Sequence, residues 1–315
     1  KNLMYIFIPH LILTRLMGWI ANSRNKIIKN LLIKSFIKLY KPNLEESLIS
    51  DINDFPTYNS FFTRKLKNGV RPIEDSKLTI VSPVDGTIMD HGMVESNMLI
   101  QAKKHEYPIK ELLGKKSQNI NESKQYFITI YLAPTDYHRI HCPYGGLISS
   151  TCHLGESLFS VNEKAQVNIP DLYIKNERAV MKVESNSLSY YLVSVGASIV
   201  GSIVPFWSDS GLKTRKDYIN EWNEGPEENK NQALKGQELA YFKMGSTVIL
   251  IFEDSTQLDL NSLTTNKTVK FGSKLIVGIF SDKIAGRSAY VNQKLRYNNI
   301  KNNILVDECF LINNS

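Results

Sequence analysis

An α+β fold, with helices at the amino-terminal end and a largely antiparallel β body after them, follows from three features of this 315-residue chain. Helical periodicity is concentrated before residue 75, short β-like runs with turn punctuation fill most of the remaining chain, and no internal repeat interrupts that order.

The first element is set by charge as much as by pattern. Residues 1–44 contain no acidic side chain, whereas Lys1, Arg15, Arg24, Lys26, Lys29, Lys34, Lys38 and Lys41 are all basic. The opening apolar run, LMYIFIPHLIL, is broken by Pro9 and is shorter than the roughly 20 residues that span a bilayer, though long enough to lie on one. Over residues 25–40 the period is helical: Ile28, Leu32, Phe36 and Leu39 share one side, with Lys26, Lys34, Lys38 and Lys41 on the other, although Ile27, Ile33 and Ile37 blur the division. Such a helix suits an interfacial anchor whose lysines meet anionic headgroups, and equally a helix packed on its own domain with solvated lysines. These residues define a basic amphipathic helical region for membrane association, residues 1–50, ahead of a catalytic domain, residues 51–280.

A second helix with a basic connection is expected in FPTYNSFFTRKLKNGVRPIE, residues 55–74. The β-like runs are TIVSPVDGTIMDHG, QYFITIYLAP, GGLISSTCHL, SLSYYLVSVGASIVGSIV and STVILIF. Residues 208–237 are polar and rich in Lys, Asn, Glu and Gly, the composition of a surface excursion; residues 281–315 form an Asn- and Lys-rich tail of unassigned role.

Lys and Arg outnumber Asp and Glu by 38 to 31, a surplus that favours an anionic partner: nucleic acid, an acidic ligand or an anionic membrane surface. The three cysteines, Cys142, Cys152 and Cys309, form no C-x-x-C pair, so neither a disulfide framework nor a zinc site is expected and a reducing compartment fits. Because the chain begins at Lys1 rather than Met, the lack of a targeting segment decides nothing about location.

Four segments carry the chemically capable residues. FKMGSTVILIF places the Ser246 hydroxyl directly after Gly245 at the head of an apolar strand. SPVDG carries Asp85, which with Gly86 reads as a turn pair; YLAPTDYHRIHCP carries His138 and His141; LFSVN spans residues 158–162. The H-x-x-H spacing lacks the Cys, Asp or Glu needed to complete a metal shell, and Arg139 between the two histidines repels a cation, so no metal is expected. Asp, His and Ser together can activate a hydroxyl: carboxylate orients imidazole, imidazole takes the proton, and oxygen attacks a carbonyl. Spacing alone does not bring them together.

The segments LTRLMGWIANSR, FPTYNSFFTRKLKNGVRPIE, SPVDGTI, QAKKHEYPIKELLG, YLAPTDYHRIHCPYGG, LFSVN, NERAV, VGASIVGSI and LKGQELAYFKMGSTVI run collinearly, and the likeness they carry covers the chain from about Leu13 to Gly278. In this they resemble the phosphatidylserine decarboxylases, pyruvoyl-dependent enzymes made as self-cleaving proenzymes. Two departures are visible: Met244 where the family's cleavage motif has Leu, a volume-conserving change, and Lys103-Lys104 where Lys-Gly is frequent.

The resemblance implies that Gly245-Ser246 is the cleavage site, with His141 as base and Asp85 orienting it. Attack of the Ser246 oxygen on the Gly245 carbonyl gives an ester, β-elimination releases residues 1–245 as the β subunit, and hydrolysis of the dehydroalanine leaves a pyruvoyl group heading residues 246–315, the α subunit. That group, the only cofactor implied, forms a Schiff base with the amine of phosphatidylserine and accepts the electrons freed as CO2 departs, giving phosphatidylethanolamine. His138 is the candidate acid that protonates the substrate α-carbon. In LFSVN, Phe159 is the candidate for lipid contact and Ser160 and Asn162 for the phosphate. The implied partners are phosphatidylserine, a membrane surface, the cleaved subunit and a second protomer in a homodimer, with no nucleic acid. The mitochondrial inner membrane, endoplasmic reticulum and bacterial inner membrane all suit such an enzyme. Two other readings of the same residues are a serine hydrolase using Asp85, His141 and Ser246 on outside substrates, though without a G-x-S-x-G elbow, and a non-catalytic peripheral lipid-binding protein.

Overall fold

The computed structural model describes residues 10–101, 105–114, 124–155, 157–197, 203–206, 218–221, 231–243 and 246–279. Gly245, the 281–315 tail and most of the 208–237 excursion lie outside the described residues.

Three helices come first: α1 (His10–Ala21), α2 (Lys26–Tyr40) and α3 (Tyr58–Phe62). Helix α2 begins where it does because the Asn25 side chain accepts the N–H groups of Ile27 and Ile28. It ends at Lys41, which turns left-handed at φ 50°, directly before Pro42. A reciprocal capping box between Thr57 and Ser60 starts α3. The side of α2 that packs inward runs through Ile33 and Phe36, which meet Phe55, Tyr58, Phe61 and Phe62. Phe36 contacts Phe61 and Phe62 edge-on at ring-centroid distances of 5.8 and 5.9 Å.

This corrects the face expected from periodicity. Ile28 and Leu39 are exposed, together with Ile27 and Leu31. Apolar residues occur almost all round the helix, so its own pattern does not select a side; the four aromatic residues opposite do. Lys29 joins the buried side because its ammonium donates to the carbonyls of Ile52, Asn53 and Phe55 at 3.4, 2.8 and 2.7 Å. No helix among the described residues is long and apolar enough to cross a membrane.

The rest is mostly β. In chain order come β1 (Thr79–Val81), β2 (Gly86–Met93), β3 (Met98–Gln101), β4 (His105–Pro108), helix α4 (Ile109–Leu113), β5 (Tyr126–Leu132), β6 (Arg139–His141) and β7 (Gly146–Leu154). Short helices α5 (Glu163–Asn168) and α6 (Leu172–Lys175) precede β8 (Arg178–Glu184), β9 (Ser189–Gly196), β10 (Ile203–Pro205), β11 (Tyr218–Glu221), β12 (Gln232–Ala233), β13 (Glu238–Phe242) and β14 (Ser246–Phe252). The last strands are β15 (Leu258–Asp259), β16 (Thr268–Val269) and β17 (Lys274–Gly278).

The main sheet has the order β11-β7-β8-β9-β14-β5-β2-β16, with β12 also on β7. Smaller sheets are β10-β13-β6 and β1-β17-β15, and β3 pairs with β4. These ladders are antiparallel, so the architecture is α+β with a largely antiparallel body. Two pieces of the polar excursion, β11 and β12, are thus strands on the sheet edge rather than free loop.

Strand β14 lies at the centre and is buried along its whole length. Val248, Leu250 and Phe252 face one core, which also holds Ile140, Ile203 and Phe242 from the β10-β13-β6 sheet; Ile249 and Ile251 face a second core with Ile109 and Leu112 of α4 and Tyr173 of α6. Burial on both faces is why STVILIF is apolar without alternation. Gly86 is a strand residue rather than half of a turn: a Cβ there would lie 2.5 Å from the Tyr131 carbonyl oxygen across the β2-β5 ladder.

Candidate active site

Ser246 opens β14, fully buried, between Leu132 of β5 and Gly196 of β9. Its hydroxyl lies 3.2 Å from Nδ1 of His138, an imidazole in the turn between β5 and β6. That ring is held by stacking on Phe62 from the end of α3, with centroids 4.2 Å apart, so the helical segment contributes a wall of the site. The other ring nitrogen, Nε2, is buried without a well-aligned hydrogen-bond partner among the described residues, with the backbone of Pro134 and Ala133 close to the ring.

His141, three residues on, points elsewhere. Its Nδ1 donates to the Gly236 carbonyl at 2.9 Å, which leaves Nε2 to accept from the Tyr137 hydroxyl at 3.1 Å. Phe271 stacks on the ring at 3.6 Å. Burial pushes the His138 imidazole down to about 3, with the positive charge of Arg64 adding to the effect, and burial takes His141 down to about 4. Both are therefore neutral near pH 7.

Asp85 sits behind His141 without bonding to it. The guanidinium of Arg71 donates to Asp85 from Nη2 at 2.7 Å and from Nε at 3.1 Å, and donates to Glu46 at 2.6 Å. The Phe271 N–H donates to Asp85 at 2.8 Å and the Lys270 ammonium at 3.1 Å. Burial alone raises the Asp85 pKa, but the Arg71 hydrogen bonds, the Phe271 N–H and the nearby cations outweigh it and hold the carboxyl below its usual range. Asp85 thus fixes the backbone of the residue whose ring lies on His141. The described cavity beside it, about 510 Å³, is lined by Arg71, Lys270, Phe271 and Gly272 among others, and Ser246 is not part of its wall.

The residues picked out in the sequence therefore fall into two linked groups: Ser246 with His138, and Asp85 with Phe271 and His141. Among the described residues no hydrogen bond joins His141 to Ser246 or to Asp85. The 158–162 loop passes over the same sheet end. A Cβ on Gly196, the cross-strand neighbour of Ser246, would meet Leu158 at 3.5 Å. Phe159 packs against the second core and its backbone pairs with the Asn176 side chain. Asn162 caps α5, and the Ser160 hydroxyl accepts the Asn162 N–H.

Several residues that complete the site were not singled out from sequence. Phe62, Arg64, Tyr137 and Arg71 lie in quoted segments and Phe271 lies outside them, but an aromatic or basic residue in a short element carries no periodic signal that marks it as facing a site. Glu177 and His153 were also missed: both are buried, 3.6 Å apart, and the Glu177 carbonyl accepts the N–H of Gly196, the cross-strand neighbour of Ser246.

Comparison with known proteins places the whole arrangement. A family model described as phosphatidylserine decarboxylase matches residues 58–277, and one described as PSD matches residues 1–41. The phosphatidylserine decarboxylase proenzyme of Baumannia cicadellinicola is 38% identical over 272 residues, 85% of this chain and 93% of that protein. That of Klebsiella pneumoniae is 35% identical over 298 residues, covering 94% and 93%, and that of Vibrio cholerae 40% over 250 residues, covering 78% and 87%.

Proposed function

The chain belongs to the phosphatidylserine decarboxylase family, and from that premise we propose that it decarboxylates phosphatidylserine to phosphatidylethanolamine after cutting itself between Gly245 and Ser246. The observation that carries this reading is the buried Ser246 hydroxyl held against His138 at the head of the central strand. The hydrolase and silent lipid-binding alternatives find no support in relatives named proenzymes of this decarboxylase.

Ser246 suits the role of precursor to a pyruvoyl group. It is fully buried, its neighbour Gly196 presents no side chain, and the His138 Nε2, without a well-aligned partner among the described residues, offers a further polar contact. When formed, that group supplies an electrophilic carbonyl that serves as an electron sink for loss of CO2. The protein's own part is to hold the amine-bearing headgroup, exclude water and manage protons.

His138 touches the Ser246 side chain and is the residue we assign to proton delivery at the substrate α-carbon. His141 is assigned as the base for self-cleavage. To serve, its Nε2 gives up the Tyr137 hydroxyl, while Asp85 keeps Phe271 against the ring. The 158–162 loop is assigned to substrate contact, with Phe159 toward lipid and Ser160 and Asn162 toward the polar headgroup. The products are residues 1–245 and 246–315. A denaturing gel tests the core claim: wild type splits in two, its smaller piece reacts with hydroxylamine, and it releases CO2 from phosphatidylserine, whereas Ser246→Ala stays whole and inert. Full activity from an unbroken wild-type chain would end this reading.

The amino-terminal helices are assigned to a membrane surface. Trp19 on α1 and Ile27 on α2 are 75% and 80% exposed, Leu31 is exposed beside them, and Lys34 and Lys38 flank the patch. Wild type is expected to sediment with vesicles containing anionic lipid, and Leu31→Glu to stay in solution. Equal sedimentation of the two would remove this face from the contact.

A further inference from the structure

Beside His138 lies a cation that the assigned chemistry does not use. Arg64 follows α3 directly, and only 5% of it is exposed. Its Nη2 donates to the Thr135 carbonyl at 3.0 Å, but Nε and Nη1 are buried with no hydrogen-bond partner among the described residues. Asp136, the acidic group with the largest influence on it, acts through space, and burial lowers the pKa of the guanidinium. An unmet buried donor is costly, more so on a charged group, so this arrangement is expensive unless something arrives to complete it.

What completes a guanidinium fork is a planar or tetrahedral oxyanion. On the proposed reading the substrate offers two, a carboxylate and a phosphodiester. A cation bound to the carboxylate would stabilise the charge more before CO2 loss than during it, and so would raise the barrier. The phosphodiester keeps its charge throughout and can be held without that penalty. Four bonds separate the substrate amine from phosphorus, about 5 Å when extended. Arg64 is near enough to His138 for its charge to act on the ring, and His138 is 3.2 Å from the Ser246 hydroxyl, so one headgroup can address both ends.

We propose that Arg64 is the phosphodiester-binding residue of the site, with a free guanidinium N–H, on Nε or on Nη1, donating to a non-bridging oxygen. This rests on the decarboxylase reading above. An anion placed there also offsets the positive charge facing His138, so that filling the site with substrate prepares that ring to carry a proton.

The test separates phosphodiester from carboxylate and from fold damage. Dioctanoylphosphatidylethanolamine keeps the phosphodiester and lacks the carboxylate; dioctanoylglycerol lacks both. Calorimetric binding of each is measured on full-length Ser246→Ala, Arg64→Gln with Ser246→Ala, and Arg64→Lys with Ser246→Ala, none of which depends on self-cleavage. The expected result is at least tenfold weaker binding of the phosphatidylethanolamine to the Gln variant, partial recovery with Lys, and unchanged dioctanoylglycerol binding. No binding to Ser246→Ala, no change on Arg64→Gln, or an equal loss for both lipids overturns the proposal. In cleaved enzyme, Arg64→Lys is expected to raise KM severalfold with kcat within about twofold. A fall in kcat at constant KM, or a defect confined to the carboxylate-bearing lipid, overturns it too. Failure of the wild type to release CO2 would instead sink the decarboxylase reading, while the binding comparison still decides on Arg64.

Discussion

His138 and His141 are three residues apart, both buried and both neutral, yet they are held in opposite ways. His141 has partners for both ring nitrogens and, on its face, the phenyl ring of Phe271, whose N–H donates to Asp85. His138 has one nitrogen on the Ser246 hydroxyl and, among the described residues, no side-chain partner for the other, only the backbone of Pro134 and Ala133 close by. A fully satisfied imidazole is fixed in place and must break a bond to act, whereas a half-satisfied one is available as it stands. The difference teaches that two histidines in one motif are divided by hydrogen-bond completeness rather than by distance along the chain.

The division breaks most visibly if the two rings are removed in turn. We expect His138→Ala to cut itself but to lose about 10²–10⁴-fold in CO2 release, the usual contribution of a positioned proton donor. His141→Ala is expected to remain one polypeptide on a denaturing gel. The opposite pattern, an uncut His138→Ala beside a cut His141→Ala, would exchange the roles.

Acid should sharpen the comparison with a smaller effect. Both imidazoles bind protons less well folded, at about 3 and about 4, than at their ordinary value of 6.5. Above that ordinary value neither state is protonated and nothing is lost. Below it the unfolded chain takes up protons that the folded chain refuses, so stability falls with pH by up to about 1.4 kcal/mol per unit for each histidine, until the folded values are reached. Urea midpoints of Ser246→Ala between pH 7 and 5 should drop, and replacing either histidine by Gln should flatten the slope. A midpoint independent of pH over that range would contradict the burial of both rings.

The smallest expected effect is on Tyr137→Phe. Losing the hydroxyl that holds His141 Nε2 should cost about 1 kcal/mol in unfolding free energy, and self-cleavage should run no slower because the nitrogen is released. A large slowing would show that Tyr137 assists the base rather than restraining it.

The strands were legible where burial writes a continuous apolar run, as in β5, β9 and β14, and α2 was legible to within a residue because Asn25 caps it. The inward face of α2 was not, since aromatic residues of a later segment, Phe55, Tyr58, Phe61 and Phe62, choose it. Strands of three residues such as β6 and β10 leave too short a record to show a period. In the site, Ser246, Asp85 and the two histidines were legible as residue types. Which histidine meets the hydroxyl was not: that depends on the turn before β6 and on Phe62 beneath it. Arg64 reads in sequence as one more basic residue after two phenylalanines, and only burial sets it apart.

The place of β14 has a further consequence for the order of events in the protein's life. Both of its neighbours, β5 and β9, lie upstream of residue 245, and seven residues pair on each side. Asp85, also upstream and itself held by Arg71, accepts from Lys270 and Phe271 beyond residue 246. With the cut proposed between Gly245 and Ser246, folding must come before scission, because the frame that aims the hydroxyl is assembled from residues on both sides of it. Once severed, the short chain stays locked in as a keystone, and its exchange with free copies should be as slow as global unfolding.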